Sequence, residues 1–194
     1  MPTNYGSSDT SNSAVRRYLT VIGTYYLKQL PEDIQRKFKN GQLWENIKEE
    51  FNYNCAYCGR KQGEVIEVLV KRKPMKKELI LEREHIFMMN QEDVGLHHPG
   101  NIIPCCNPCN NSRHKKTWIQ HLEDICAGDI DVFQYRKEKI LEQIEKYQYS
   151  SIKESELLKI RETAKKLYKE ISSITETAAN KVIEDLITHS TLKG

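Results

Sequence analysis

The chain has 194 residues, of which 38% are apolar and 29% charged, with a net charge of +3 and a mean hydropathy of −0.68. That length suits one ordinary domain with extensions, and ten Tyr, two Trp and four Phe can anchor a core, which argues against wholesale disorder. Nine Gly and six Pro exclude a collagenous or low-complexity chain. No apolar run nears the ~20 residues a membrane helix needs, and MPTNYGSSDTSNS lacks the basic-then-apolar layout of a signal peptide. The expectation is a cytoplasmic protein with no membrane partner.

The Ser/Asn/Asp/Thr-rich first dozen residues read as frayed. Over residues 14–30, Val15, Leu19, Ile22, Tyr26 and Leu30 recur at three- and four-residue steps, the pattern of an amphipathic helix that Pro31 closes. Ile34, Phe38, Leu43, Trp44 and Ile47 suggest one or two short helices interrupted at Gly41. Beyond Phe51 the period changes. Residues 65–70 and 79–81 read as two short strands flanking a basic loop over 71–77 that contains Pro74, and residues 101–104 as a third strand.

Asn107-Pro108 predicts a helix start, with Asn107 as N-cap and Pro108 at the first helical position, and the helix is expected to run through Trp118 and Leu122. After Asp131 the chain reads as helical again. Leu157, Ile160, Ala164, Leu167, Ile171, Ile174 and Ala178 alternate steps of three and four, which suits an inter-chain coiled-coil seam or a helix packed on its own domain. The predicted fold is α+β and mostly helical. It divides into an N-terminal helical region (1–50), a small ββα core (51–122) and a C-terminal helical region (123–194).

Charge is unevenly distributed. Residues 51–120 carry 11 Lys/Arg against 7 Asp/Glu, whereas the remainder carries 19 against 20. The excess peaks at Lys71, Arg72, Lys73, Lys76 and Lys77, with a second cluster at Arg113, Lys115 and Lys116. A charge run is most often a solvated surface, but central clusters of this kind also suit contacts with phosphates.

Six cysteines occupy positions 55, 58, 105, 106, 109 and 126. In a reducing compartment disulfides are a poor explanation. Cys55-Ala-Tyr-Cys58 and Cys106-Asn-Pro-Cys109 are both C-x2-C pairs, and two such knuckles complete a four-thiolate zinc site. Cys105 in place of Cys106 would give a C-x3-C pair. Cys126 has no partner at ligand spacing and reads as core. A zinc closed by four thiolates has no open position for water, so it should hold structure while chemistry lies elsewhere.

Between the knuckles stand Leu79-Ile80-Leu81-Glu82-Arg83-Glu84-His85-Ile86 and, sixteen residues beyond His85, Asn101-Ile102-Ile103-Pro104-Cys105-Cys106-Asn107-Pro108-Cys109-Asn110. Over roughly residues 51–120 the chain resembles the HNH, or ββα-metal, endonuclease family in its zinc-knuckle form. That pattern has an acidic residue and His ending one strand, an Asn opening the next, and a His or Asn just after the last knuckle cysteine. The register of Asn101 and Asn110 selects Cys106 over Cys105. The resemblance implies that His85 is a general base, that Glu84 and Asn110 bind a catalytic metal, and that Asn101 orients His85 and braces the loop.

His114, four residues after Asn110, is placed by the same likeness as a third metal ligand or a phosphate contact. Glu84 stands where many members have Asp and Asn110 where many have His, an oxygen-biased pair that favours magnesium or manganese. Adjacent strand residues face opposite ways, so the strand is expected to end at Glu84-His85. His97 and His98 are assigned no role beyond phosphate contact, and Tyr57 and Trp118 read as packing.

The implied activity is metal-dependent cleavage of DNA, leaving 5′-phosphate and 3′-hydroxyl ends, in restriction or anti-phage defence. The alternatives are a homing or phage-packaging nuclease subunit, or a zinc-stapled nucleic-acid-binding module without catalysis. A homodimer through the C-terminal helices and a protein partner that supplies targeting complete the expected associations.

Overall fold

A computed structural model describes residues 7–70 and 73–191. The fold is mostly helical α+β, with seven α-helices and two separate two-stranded sheets among the described residues. Helix α1 (Ser7–Leu27) starts well before the predicted Ala14, so much of the stretch read as frayed is helical. Val15, Leu19 and Leu27 are buried along it. Helices α2 (Glu32–Lys39) and α3 (Gln42–Glu50) follow, separated at Gly41, whose φ of +80° ends one turn and opens the next.

Strands β1 (Val65–Val70) and β2 (Lys73–Glu78) pair antiparallel from Val65↔Glu78 to Val70↔Lys73. From Lys73 on, the segment read as a basic loop is therefore itself a strand. Its lysines and Pro74 are poor strand formers, but a strand at a sheet edge tolerates both. Lys71 and Arg72 lie outside the described residues.

The second sheet positions the site. Strand β3 (Leu81–His85) pairs antiparallel with β4 (Ile102–Cys106), with Leu81 opposite Cys106 and His85 opposite Ile102. All five β4 residues are buried, while β3 buries Leu81 and leaves its acidic positions more open. Helix α4 (Asn107–Arg113) follows β4 directly, with Cys106 rather than Asn107 at the cap and Pro108 in the first turn.

The helix does not continue to Leu122. His114 has φ +49° and leaves the helical path, and α5 (Trp118–Cys126) begins afresh at a capping box of Thr117 and Gln120. The T-x-x-Q signal was present in the sequence. Helices α6 (Ile130–Lys146) and α7 (Glu154–Thr191) complete the chain. Helix α7 packs lengthwise on α1, and Ile160 and Ala164 of the predicted seam are buried, whereas Ile174 is 65% exposed. One contiguous core draws residues from α1, α3, the cysteine-rich segment, β3, β4 and α5–α7. No helix among the described residues is long and apolar enough to cross a membrane.

Candidate metal centre and active site

The two knuckles meet because β4 delivers Cys106 beside the turn that carries Cys55 and Cys58. That turn is a small hairpin closed by an Asn54↔Lys61 bridge. It is docked to β4 by the Ala56 N–H donating to Pro104 O at 2.8 Å. Arg136 on α6 clamps its far side, donating to Tyr57 O at 2.7 Å and Cys58 O at 3.1 Å. Cys109 enters from the first turn of α4. The ligand atoms of Cys55, Cys58, Cys106 and Cys109 all lie within 4.8 Å of one another, and Cys58 and Cys106 sulfurs are 3.6 Å apart.

A tetrahedral ion with bonds of ~2.3 Å separates its sulfurs by a little under 4 Å. The set can therefore hold a metal such as zinc. The backbone N–H of Cys106 donates to Cys55 Sγ at 3.4 Å, and thiol donors, Cys105 first, hold the Cys55 thiol far below its ordinary pKa. Cys105 is buried on β4 and is not one of the four clustered ligands. Cys126 is also buried, as are Tyr57 and Trp118.

The motif residues divide between the two faces of β3. Glu82 and Glu84 turn toward α4. Asn110 Nδ2 donates to Glu82 Oε2 at 3.3 Å and Asn107 Nδ2 to Glu82 Oε1 at 3.5 Å. Glu84 Oε1 accepts from Arg113 Nη1 at 2.5 Å. Burial raises the Glu84 pKa, opposed by the Arg113 charge. Asn110 thus meets Glu82, which the sequence reading did not single out, and Glu84 meets Arg113.

Arg113 had been read as an exposed phosphate contact, and the structure corrects this. It is 2% exposed, and its guanidinium also donates to the carbonyls of His85 at 2.6 Å, Ile86 at 2.6 Å and Lys116 at 3.3 Å. A buried cation held by one carboxylate and three carbonyls braces the end of β3 against α4. Lys76, Lys77, Lys115 and Lys116 are exposed, with Lys116 paired to Asp124 at 2.6 Å. Lys73 falls within β2.

His85 faces the other way. The strand ends there, as expected: His85 is its last residue, paired with Ile102, and beyond it the Ile86 N–H donates to Asn101 O at 3.0 Å. Glu84 and His85 consequently diverge, as regular pleating requires. His85 Nε2 lies 3.2 Å from His97 Nδ1. Burial first, then the charges of His97, Arg113 and Arg16, bring its pKa down to about 4, so the ring is neutral at pH 7.

Asn101 is fully buried and braces the 87–101 loop. Its Oδ1 accepts from Phe87 N at 2.7 Å, and its Nδ2 donates to Phe87 O at 3.0 Å and Leu96 O at 2.9 Å. Gly95 makes room for this, because a Cβ there would fall 1.8 Å from Phe87 O. No side-chain bond from Asn101 to the His85 ring appears among the described residues. His114 is exposed and past the end of α4, so the helical spacing that put it on the Asn110 face does not apply.

One curated protein similar to this chain is the "SPbeta prophage-derived putative HNH endonuclease YoqL" of Bacillus subtilis (strain 168), 32% identical over 71 residues. The match takes in 37% of this chain and spans 27% of the relative's length. No family model and no solved structure matches. Together, the relative and the four-cysteine cluster support an HNH-like family.

Proposed function

We propose that the chain is a metal-dependent endonuclease hydrolysing DNA phosphodiester bonds. The observation that carries this reading is a single small unit, β3–β4–α4, joined to the four-cysteine cluster. It holds Glu84 and His85 at the end of one strand, Asn101 at the entry to the next and Asn110 on the helix.

The four cysteines hold a structural zinc that fastens α4 to the hairpin. His85, neutral at pH 7, accepts the proton of the attacking water. Glu84 and Asn110 supply oxygen to a hard divalent cation, magnesium or manganese. The donor chemistry fits: Arg113 engages Glu84 through Oε1, and Asn110 meets Glu82 through Nδ2 rather than its oxygen. When bound, such a cation neutralises charge developing on the phosphoryl oxygens.

Asn101 keeps the loop closed behind His85. Lys71, Arg72, Lys73, Lys76, Lys77, Lys115 and Lys116 contact flanking phosphates, as does His114, which is exposed past the end of α4, and these contacts carry affinity without sequence information. Restriction or anti-phage defence, a homodimer and a targeting partner complete the proposal.

The pairing of Glu84 with Arg113 favours a second reading, a zinc-stapled nucleic-acid-binding module without catalysis. Plasmid nicking separates the two. The wild type should nick in magnesium or manganese and stop in EDTA, and His85→Ala should slow cleavage by ~10²–10⁴-fold with DNA binding intact. A wild type that binds DNA and never cuts it in either metal establishes the second reading.

A further inference from the structure

Among the described residues, the loop histidine His97 makes the one side-chain hydrogen bond to the His85 ring, between His85 Nε2 and His97 Nδ1 at 3.2 Å, with ring centroids 5.5 Å apart. His97 is itself held from outside the ββα unit. Phe38 on α2 lies against its ring at 5.2 Å. Gly23 on α1 lets that helix touch its backbone, since a Cβ at 23 would fall 2.5 Å from His97 O. The two N-terminal helices thus fix the loop residue that contacts the strand residue.

We infer that His97 is a positioning residue for His85, accepting the His85 Nε2–H at its own Nδ1 and thereby leaving His85 Nδ1 as the nitrogen that takes a proton. This rests on the nuclease reading of the site and adds to it the reason one ring nitrogen acts. A neutral imidazole carries one donor and one acceptor nitrogen, and the partner of one determines the role of the other.

Were the bond reversed, with His97 donating, the His85 Nε2 lone pair would be occupied and Nδ1 would carry the hydrogen, leaving no base. The assigned direction also puts both rings in the Nε2–H form that free imidazole side chains prefer. The role falls outside the Glu-His, Asn and Asn motif positions, and it makes the N-terminal helices part of the site rather than an appendage.

The test is ¹⁵N NMR of the histidine rings at neutral pH, paired with cleavage kinetics in magnesium on the full chain. The wild type should show His85 as the Nε2–H tautomer. His97→Ala should mix the His85 tautomers and lower kcat at least tenfold with KM nearly unchanged. His97→Asn, whose side-chain oxygen can replace Nδ1 as acceptor, should restore much of both; thermal unfolding of each variant checks that the fold survives. An Nδ1–H tautomer in a wild type that still cuts DNA, or a folded His97→Ala variant that cleaves like the wild type, overturns the inference while the nuclease reading stands. A wild type with the Nε2–H tautomer that cuts no DNA overturns the nuclease reading, and the positioning role falls with it.

Discussion

Asn101 grips both backbone polar groups of Phe87, its Oδ1 accepting the N–H at 2.7 Å and its Nδ2 donating to the carbonyl at 3.0 Å. The same Nδ2 also reaches Leu96 O at 2.9 Å, and the side chain is sealed from solvent. Replacing it by Ala leaves the Phe87 and Leu96 groups without these partners, at a cost of about 3 kcal/mol. Asn101→Asp should be no better, because a carboxylate would face two carbonyl oxygens. Urea denaturation measures both, and a loss under about 0.5 kcal/mol for Asn101→Ala would contradict the bracing role.

Arg113 and the strand lysines should separate by phenotype. Arg113→Ala strands the half-buried Glu84 carboxylate and should destabilise the protein by ~3–5 kcal/mol. Lys76→Ala with Lys77→Ala should leave the melting temperature within a degree or two. It should weaken DNA binding and flatten the dependence of log affinity on log salt by about two. An Arg113→Ala variant as stable as the wild type would return that residue to the phosphate-contact set.

Metal removal gives the third expectation. Elemental analysis should find one zinc per chain. Cys109→Ser or a strong chelator should abolish the cooperative unfolding transition, because in such sites metal binding supplies folding free energy. Zinc-free protein with an unchanged melting temperature would show that the four sulfurs are merely buried thiols.

His98 provides a pH dependence of stability. It is 2% exposed, accepts from Gly100 N at Nδ1 and packs on Tyr149. Burial first, then His97, pushes its pKa down to about 4 from 6.5. Between these values the unfolded chain binds a proton that the folded chain refuses. Its contribution is therefore complete above pH 6.5 and falls by about 3 kcal/mol as the pH drops toward 4. His98→Asn keeps an acceptor for Gly100 N without the titration. Equal acid sensitivity in the two proteins, measured by urea denaturation from pH 7 to 4.5, would exclude the effect.

Assembly gives the last expectation. Helix α7 has 38 residues and α1 has 21, or ~57 Å against ~32 Å. Hence α1 cannot cover the full length of α7. Ile174 and Val182 stay 65% and 56% exposed. Pairing of two chains through this outer half should give twice the 22.7 kDa chain mass by light scattering, and Ile174→Glu should return it to one chain mass. A wild-type monomer at micromolar concentration would reject the dimer.

Much of this protein was determined by local sequence. The C-x2-C pairs at 55–58 and 106–109 and the strand-helix order around Asn101 and Asn107 rest on short-range spacing, and the four sulfurs do converge. The break at His114 was also legible, through the Thr117–Gln120 capping box. What tertiary structure alone decided is which face each side chain meets. Regular pairing through His85 sends it away from Glu84. A basic stretch becomes a strand because Val65–Val70 offers it an edge. Arg113 looks like a surface cation until β3 surrounds it with carbonyls, and His97 looks like a solvated loop residue until Gly23 and Phe38 enclose it. Such partners lie tens of residues away in sequence, and burial depends on packing between elements that no local spacing encodes.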